Sequence, residues 1–128
     1  MEEFESDDRQ TQQMTPPPQL LQLPIEGVLA LETVLGIMTD NDIPLDRDTG
    51  IALTEKLYWA SQQDAPELEL SILEADTLLR GLAYTEEMSA DFPWYPMVID
   101  TVHYVGGELL GLWPTDTWIA YRSNQTLA

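Results

Sequence analysis

The 128-residue sequence has no cysteine, one histidine and only five lysine and arginine residues. Without cysteine the chain cannot form a disulfide framework, a thiolate nucleophile or a cysteine-ligated zinc or iron–sulfur site. No apolar run approaches the roughly 18 residues that a transmembrane helix needs. The acidic start, MEEFESDD, also differs from secretory signals and mitochondrial transit peptides, which carry basic residues there. We therefore expect a cytoplasmic protein without a membrane segment.

Most of the charged residues are acidic. The 23 Asp and Glu residues give a formal net charge of −18. Proteins bind nucleic acids largely through cations that displace counterions from phosphate, and an anionic membrane surface repels an acidic chain. The few basic residues are scattered along the sequence, at Arg9, Arg47, Lys56, Arg80 and Arg122. We therefore expect no direct binding of nucleic acid or membranes, and the acid serves either solubility or the attraction of a basic partner.

The first 18 residues differ in composition from the rest of the chain. They contain five acids, a stretch rich in Gln and Thr, and three consecutive prolines, with Phe4 and Met14 as the internal apolar residues. So little apolar surface cannot offset the entropy of ordering the segment, and the prolines favour polyproline II. The sequence predicts a disordered tail over residues 1–18 and a single small globular domain over residues 19–128.

Three helices are predicted in the first two thirds of the chain. Apolar residues recur at helical spacing over residues 25–39, 49–62 and 66–83. Segment 40–48 has the composition of a loop, and Asp48 or Thr49 can cap the second helix. Pro66 suits the first turn of the third helix, and Asp64 can cap it. The third helix has the strongest pattern, formed by Leu68, Ile72, Ala75, Leu79 and Leu82.

Residues 97–122 fit two different structures. Val98, Val102, Val105, Leu109 and Leu112 have helical spacing, but a helix would place Gly106 and Gly107 in its interior. A Gly-Gly pair between apolar runs is a hairpin signal, and β-branched and aromatic residues dominate 98–105. We therefore predict strands near 97–105, 108–113 and 117–122. The predicted fold class is α+β, with three N-terminal helices packed on a small C-terminal antiparallel β-meander; the alternative is an all-α four-helix bundle.

No motif indicates catalysis or metal binding. EF-hand registers that start at Asp40 or Asp46 place Leu45 or Ile51 at position 6, where the loop needs glycine. His103 lies near Asp100, but the sequence has no Gly-x-Ser-x-Gly nucleophile elbow. Paired carboxylates are expected by chance among 23 acids. We therefore predict a protein that is not an enzyme, with no catalytic residues, no cofactor and no metal site.

The aromatic residues are concentrated near the C-terminus, since seven of eleven lie between Phe92 and Tyr121. Trp and Tyr are enriched at protein interfaces, although they can equally cover the predicted sheet. We expect a non-catalytic protein-binding module, a small acidic chaperone, adaptor or assembly factor that binds a basic or apolar-anchored segment of a client protein. The predicted protein-binding residues are Phe92, Trp94, Tyr95, Trp113, Trp118 and Tyr121.

The alternative function is an acidic inhibitor of a nucleic-acid-binding enzyme, either a DNA mimic or an immunity protein. Its carboxylates would occupy the positions where the target binds phosphate. The candidate acidic surface comprises Asp40, Asp42, Asp46, Glu67, Glu69, Glu74 and Asp76. The helix predicted over 25–39 has only two acids and no base, and this apolar character leads us to expect that it is the central core helix or part of a homodimer interface.

Overall fold

The structure, a computed structural model, describes residues 15–41 and 43–127. Within these ranges the chain forms five helices and one two-stranded antiparallel sheet. The elements, in chain order, are β1 (Gln19–Gln22), α1 (Ile25–Asp40), α2 (Arg47–Ala60), β2 (Glu67–Leu70), α3 (Ile72–Ser89), α4 (Tyr95–Leu110) and α5 (Thr115–Leu127). Most of the predicted tail, residues 1–14, lies outside the described residues, as does Asp42.

The helix predicted over 25–39 is confirmed as α1, which is the central element of the core. Its apolar face is buried against α2, α3 and α4. The second predicted helix is also confirmed, but α2 begins two residues earlier, at Arg47. The reason is that Asp46 caps it, accepting a hydrogen bond from the Thr49 backbone N–H at 3.0 Å. The cap is therefore neither Asp48 nor Thr49.

The helix predicted over 66–83 is wrong in its first part. Residues 67–70 form β2, in which Leu68 and Leu70 are buried while Glu67 and Glu69 are exposed. This alternation has the period of two that a half-buried strand requires. β2 pairs with β1, and Leu21 lies opposite Leu68. The start of the helix is thereby delayed to residue 72, and the predicted cap at Asp64 plays no part in it.

A capping box begins α3. The Ser71 hydroxyl accepts a hydrogen bond from the Glu74 N–H at 3.1 Å, and a Glu74 carboxylate oxygen accepts one from the Ser71 N–H at 2.9 Å. Two backbone donors at the helix start are thus satisfied. The spacing Ser-x-x-Glu was present in the sequence as a signal for this boundary.

The predicted C-terminal β-meander is wrong, and with it the predicted arrangement of the α+β fold. Residues 95–110 and 115–127 are helical, and Val102, Val105 and Leu109 of the helical pattern are buried. The Gly-Gly pair is accommodated within α4, where a Cβ at Gly106 would make only ordinary contacts and one at Gly107 would meet nothing. Five helices with a two-stranded sheet also differ from the alternative four-helix bundle.

The core lies between α1, α2 and α3, and α4 packs on α3. Among the side chains that the structure describes, every buried nitrogen or oxygen atom has a hydrogen-bond partner. In the described part of the chain, none of the helices has both the length and the apolar character needed to cross a membrane.

Candidate functional site

Three of the six predicted protein-binding aromatics are buried. Trp113, Trp118 and Tyr121 form a row of edge-to-face ring contacts, with centroids 5.5 Å and 6.5 Å apart. Both indole N–H groups are satisfied: Trp113 donates to the Pro17 carbonyl and Trp118 to the Leu110 carbonyl, each at 2.9 Å. These side chains belong to the core, so a partner cannot reach them in this conformation.

The other three predicted aromatics lie at the junction between α3 and α4. Phe92 and Trp94 stack face to face, with ring centroids 4.6 Å apart and planes 6° apart. They are 45% and 52% exposed, whereas Tyr95 is half-buried. Large apolar rings stacked on each other in solvent are typical of a contact surface.

Trp94 also borders an open apolar groove between α1, α3 and α4, with a volume of about 370 Å³. We call it the α1–α3–α4 groove. At its rim Met97 is 75% exposed, more than any other large hydrophobic side chain described. The lining residues come from three helices and from Trp94, which immediately precedes α4. None of them is charged: Ala30, Thr33, Val34, Leu82, Thr85, Trp94, Met97, Val98, Thr101 and Val102.

The polar atoms of this groove are already engaged. Its three threonines, Thr33, Thr85 and Thr101, each donate the hydroxyl hydrogen to the carbonyl four residues earlier in the same helix, at 3.0, 2.8 and 3.3 Å. They therefore present methyl groups and oxygen lone pairs to the groove. The groove offers apolar contact with very little hydrogen-bond donation.

Sequence reasoning found Trp94 but missed Met97. The missing signal was the spacing of Trp94, Met97 and Thr101, which places them on one face of a helix. That face was overlooked because a strand was predicted from residue 97, which leaves Trp94 outside the element.

The predicted acidic residues have diverse surroundings. Asp46 caps α2, and the hydrogen bonds from the Thr49 backbone N–H and hydroxyl lower the pKa of its carboxyl group. Glu74 is buried in the capping box and lies 2.7 Å from Lys56 Nζ. Asp76 lies between Arg80, at 3.5 Å, and Arg122, at 3.4 Å.

The remaining acids of that set are Asp40, Glu67 and Glu69, which are exposed, and Asp42, which lies outside the described residues. Glu67 and Glu69 project from the outer face of the sheet, opposite Gln22 and Leu20. Three of the seven acids thus stabilise helix ends or bind basic side chains of the chain itself, and they are not free to replace phosphates in a target.

His103 does not form a catalytic arrangement with Asp100. Its Nε2 lies 3.0 Å from Glu86 Oε1, in an exposed pair that joins α4 to α3. Within residues 15–41 and 43–127, no group of three or more His, Asp or Glu side chains is positioned to hold a metal ion. The contact joins two helices and presents no nucleophile.

A second exposed tryptophan lies away from the groove. Trp59 at the end of α2 is 65% exposed and contacts Tyr58 edge to face, with centroids 5.3 Å apart. It borders a shallow depression on the sheet side, near Glu55 and Glu69. Because it does not line the groove, it provides a matched control for Trp94.

Comparisons with known proteins do not assign this groove. No protein-family model, curated protein or solved structure matches the chain.

Proposed function

We propose that the chain is a non-catalytic module that binds a segment of another protein in the α1–α3–α4 groove, as a small chaperone, adaptor or assembly factor does. The observation that carries the proposal is the apolar groove with Trp94 and Met97 exposed on its rim. Apolar grooves between helices receive the apolar anchors of partner segments, and Trp is enriched among the residues that dominate binding energy.

The size of the groove suits side-chain anchors. A cavity of about 150 Å³ holds a benzene-sized group, and the groove measures about 370 Å³. Two large apolar side chains of a partner therefore fill it. Burying each of them contributes about 1.5–3 kcal/mol, which is offset in part by the cost of ordering the bound segment.

The lining favours a protein segment over a small polar metabolite. Small-molecule sites combine apolar walls with a few convergent polar groups that orient the ligand. Here the Thr33, Thr85 and Thr101 hydroxyls donate to their own helices, and no charged residue lines the groove.

Site-specific photo-crosslinking in the source organism tests the proposal. A benzophenone amino acid replaces Met97 in one protein and Ile119, an exposed apolar residue of α5, in the control. We expect a discrete protein adduct from position 97 and none from position 119. Adducts of equal yield from both positions, or none from position 97, would contradict the proposal.

Two tryptophan variants make the test specific to the groove. Trp94→Lys should abolish the adduct from position 97, whereas Trp59→Lys, which makes the same change of charge, should leave it unchanged. Both side chains are more than half exposed, and each makes a ring contact, Trp94 with Phe92 and Trp59 with Tyr58. Both substitutions should therefore lower the free energy of unfolding by a similar amount, about 0.5–1.5 kcal/mol. A partner whose capture depends on Glu67 and Glu69 and not on Trp94 would instead support the acidic inhibitor.

A further inference from the structure

The groove has almost no hydrogen-bond donors left for a ligand. Its threonine hydroxyl hydrogens are used within α1, α3 and α4. At the start of α4, the Tyr95 N–H donates to the Phe92 carbonyl at 3.0 Å, Pro96 has no N–H, and the Met97 N–H donates to the Trp94 carbonyl at 3.1 Å. Among the lining side chains, all in the described part of the chain, the Trp94 indole N–H is the one donor without a partner.

This shortage decides the backbone conformation of the occupant. An extended segment carries unpaired carbonyl and N–H groups along both edges, and burying them without partners costs free energy. The groove is walled by helices and has no sheet edge to pair with an incoming strand. A helix satisfies its own backbone internally, so it can present apolar side chains to the groove without that cost.

The charges around the groove decide the polarity of the occupant. Neither α1 nor α4 contains Lys or Arg. Glu26 lies one turn before the groove residue Ala30 in α1, Asp100 lies three residues after Met97 in α4, and both acids are exposed. In α3, Arg80 is held by Asp76 at 3.5 Å. A helix entering the groove therefore meets acids on its flanks.

The same charges argue against a second copy of the chain as the occupant. Each copy carries a net charge of −18, so docking one on the other brings like charges together. A helix with lysine or arginine beside its apolar face gains from the same field, both in encounter rate and in orientation.

We infer that the α1–α3–α4 groove binds a basic amphipathic α-helix of a partner protein, with two apolar side chains inserted beside Trp94 and Met97 and with basic residues facing Glu26 and Asp100. This inference rests on the proposed function and specifies the chemical class of its partner. The inserted apolar residues are one turn apart, at i and i+3 or i and i+4, because these positions share one face of a helix.

The test uses the full chain and three fluorescein-labelled 18-residue peptides. The first consists of leucine and lysine, with the leucines on one helical face. The second has the same composition apart from one central proline, which breaks the helix. The third replaces every lysine by glutamate. Fluorescence anisotropy at about 150 mM salt limits long-range attraction, because the Debye length is then about 8 Å.

We expect the first peptide to bind, the second to bind at least about tenfold more weakly, and the third to show no binding. Trp94→Ala should weaken binding of the first peptide by about tenfold or more, while Trp59→Ala should change it less than twofold. The two variants have the same net charge, so non-specific attraction of a cationic peptide affects both equally.

Equal binding of the helical and proline peptides would overturn the helix requirement, and binding of the glutamate peptide would overturn the charge requirement. Equal effects of Trp94→Ala and Trp59→Ala would overturn the location. A crosslinked partner at position 97 together with any of these results would leave the proposed function standing and remove only this inference. Absence of a crosslinked partner at position 97 would contradict the proposed function itself.

Discussion

Gly81 determines how closely α3 approaches α1, and replacing it with alanine should show this directly. A Cβ at position 81 would lie 2.6 Å from both Val34 Cγ1 and Met38 Sδ. The Met38 thioether is the flexible end of its side chain and can move away. Val34 cannot, because a β-branched residue in a helix has one strongly preferred χ1 rotamer. The backbones of α1 and α3 must therefore separate.

The size of the effect follows from two opposing terms. Overpacking a well-packed core costs about 1–3 kcal/mol, while alanine in place of glycine in a helix returns about 1 kcal/mol. The net loss for Gly81→Ala is therefore about 0–2 kcal/mol. Gly36→Ala in α1 is the matched control, because nothing lies within 4 Å of its added Cβ. It should stabilise the protein by up to about 1 kcal/mol.

Both substitutions gain the same helix propensity. The free energies of unfolding of the two variants should therefore differ by the overpacking cost alone, about 1–3 kcal/mol. Urea unfolding followed by circular dichroism measures it. With a slope of about 1–3 kcal/mol per molar urea, the midpoints should differ by roughly 0.3 M or more. The double variant Val34→Ala/Gly81→Ala should lose less than the sum of the single losses, since the clashing methyl group is absent. Equal midpoints for Gly81→Ala and Gly36→Ala would refute the reasoning.

Three further predictions concern single polar groups. Ser71→Ala removes the hydroxyl that accepts the Glu74 N–H and should cost about 1 kcal/mol in urea unfolding. Thr49→Val leaves the backbone N–H bond to Asp46 but removes the hydroxyl bond, so the pKa of Asp46, now below 3.8, should rise in an NMR titration. The stabilising contribution of the ionised Asp46 carboxyl group is present above pH 3.8 and is lost as the pH falls through its folded-state pKa. Burial raises the pKa of Tyr121 above 10.0, so stability should fall as the pH rises beyond 10.0, and Tyr121→Phe should reduce that loss in urea titrations.

Each of these predictions has its own contrary outcome. Ser71→Thr keeps an acceptor at the cap and should retain most of the stability that Ser71→Ala loses. Thr49→Ser keeps the hydroxyl and should leave the Asp46 titration as in the original chain; an equal rise in both Thr49 variants would contradict the hydrogen-bond explanation. An alkaline stability profile unaffected by Tyr121→Phe would show that this phenol does not cause the loss.

The sequence correctly predicted two helices, α1 and α2, almost over their full lengths. Both were predicted within two residues of their bounds, because each has a face of apolar residues at helical spacing and a polar loop separates the two helices. The segment ELEL at 67–70 was misassigned because Leu68 fits both periodicities. What selects the strand is its pairing with β1, in which Gln22 lies opposite Glu67, 45 residues away.

The predicted protein-binding aromatics divide into exposed and buried side chains. Phe92 and Trp94 were identified because aromatic clusters are typical of interfaces, and both are exposed. The same composition also selected Trp113 and Trp118, which are buried and whose indole N–H groups donate to the Pro17 and Leu110 carbonyls. Nothing local distinguishes an exposed tryptophan from a buried one, because burial depends on which distant segments lie against the ring.

The sequence by itself determined the absence of cysteine chemistry, the net charge of −18 and the helical pattern of α1, because composition and short periodicity are properties of the chain alone. Tertiary structure decided that residues 95–110 are helical despite Gly106 and Gly107. Burial of Val102, Val105 and Leu109 outweighs a glycine penalty of about 1 kcal/mol each. Tertiary structure also creates the α1–α3–α4 groove, because its walls come from three helices and exist only once those helices pack.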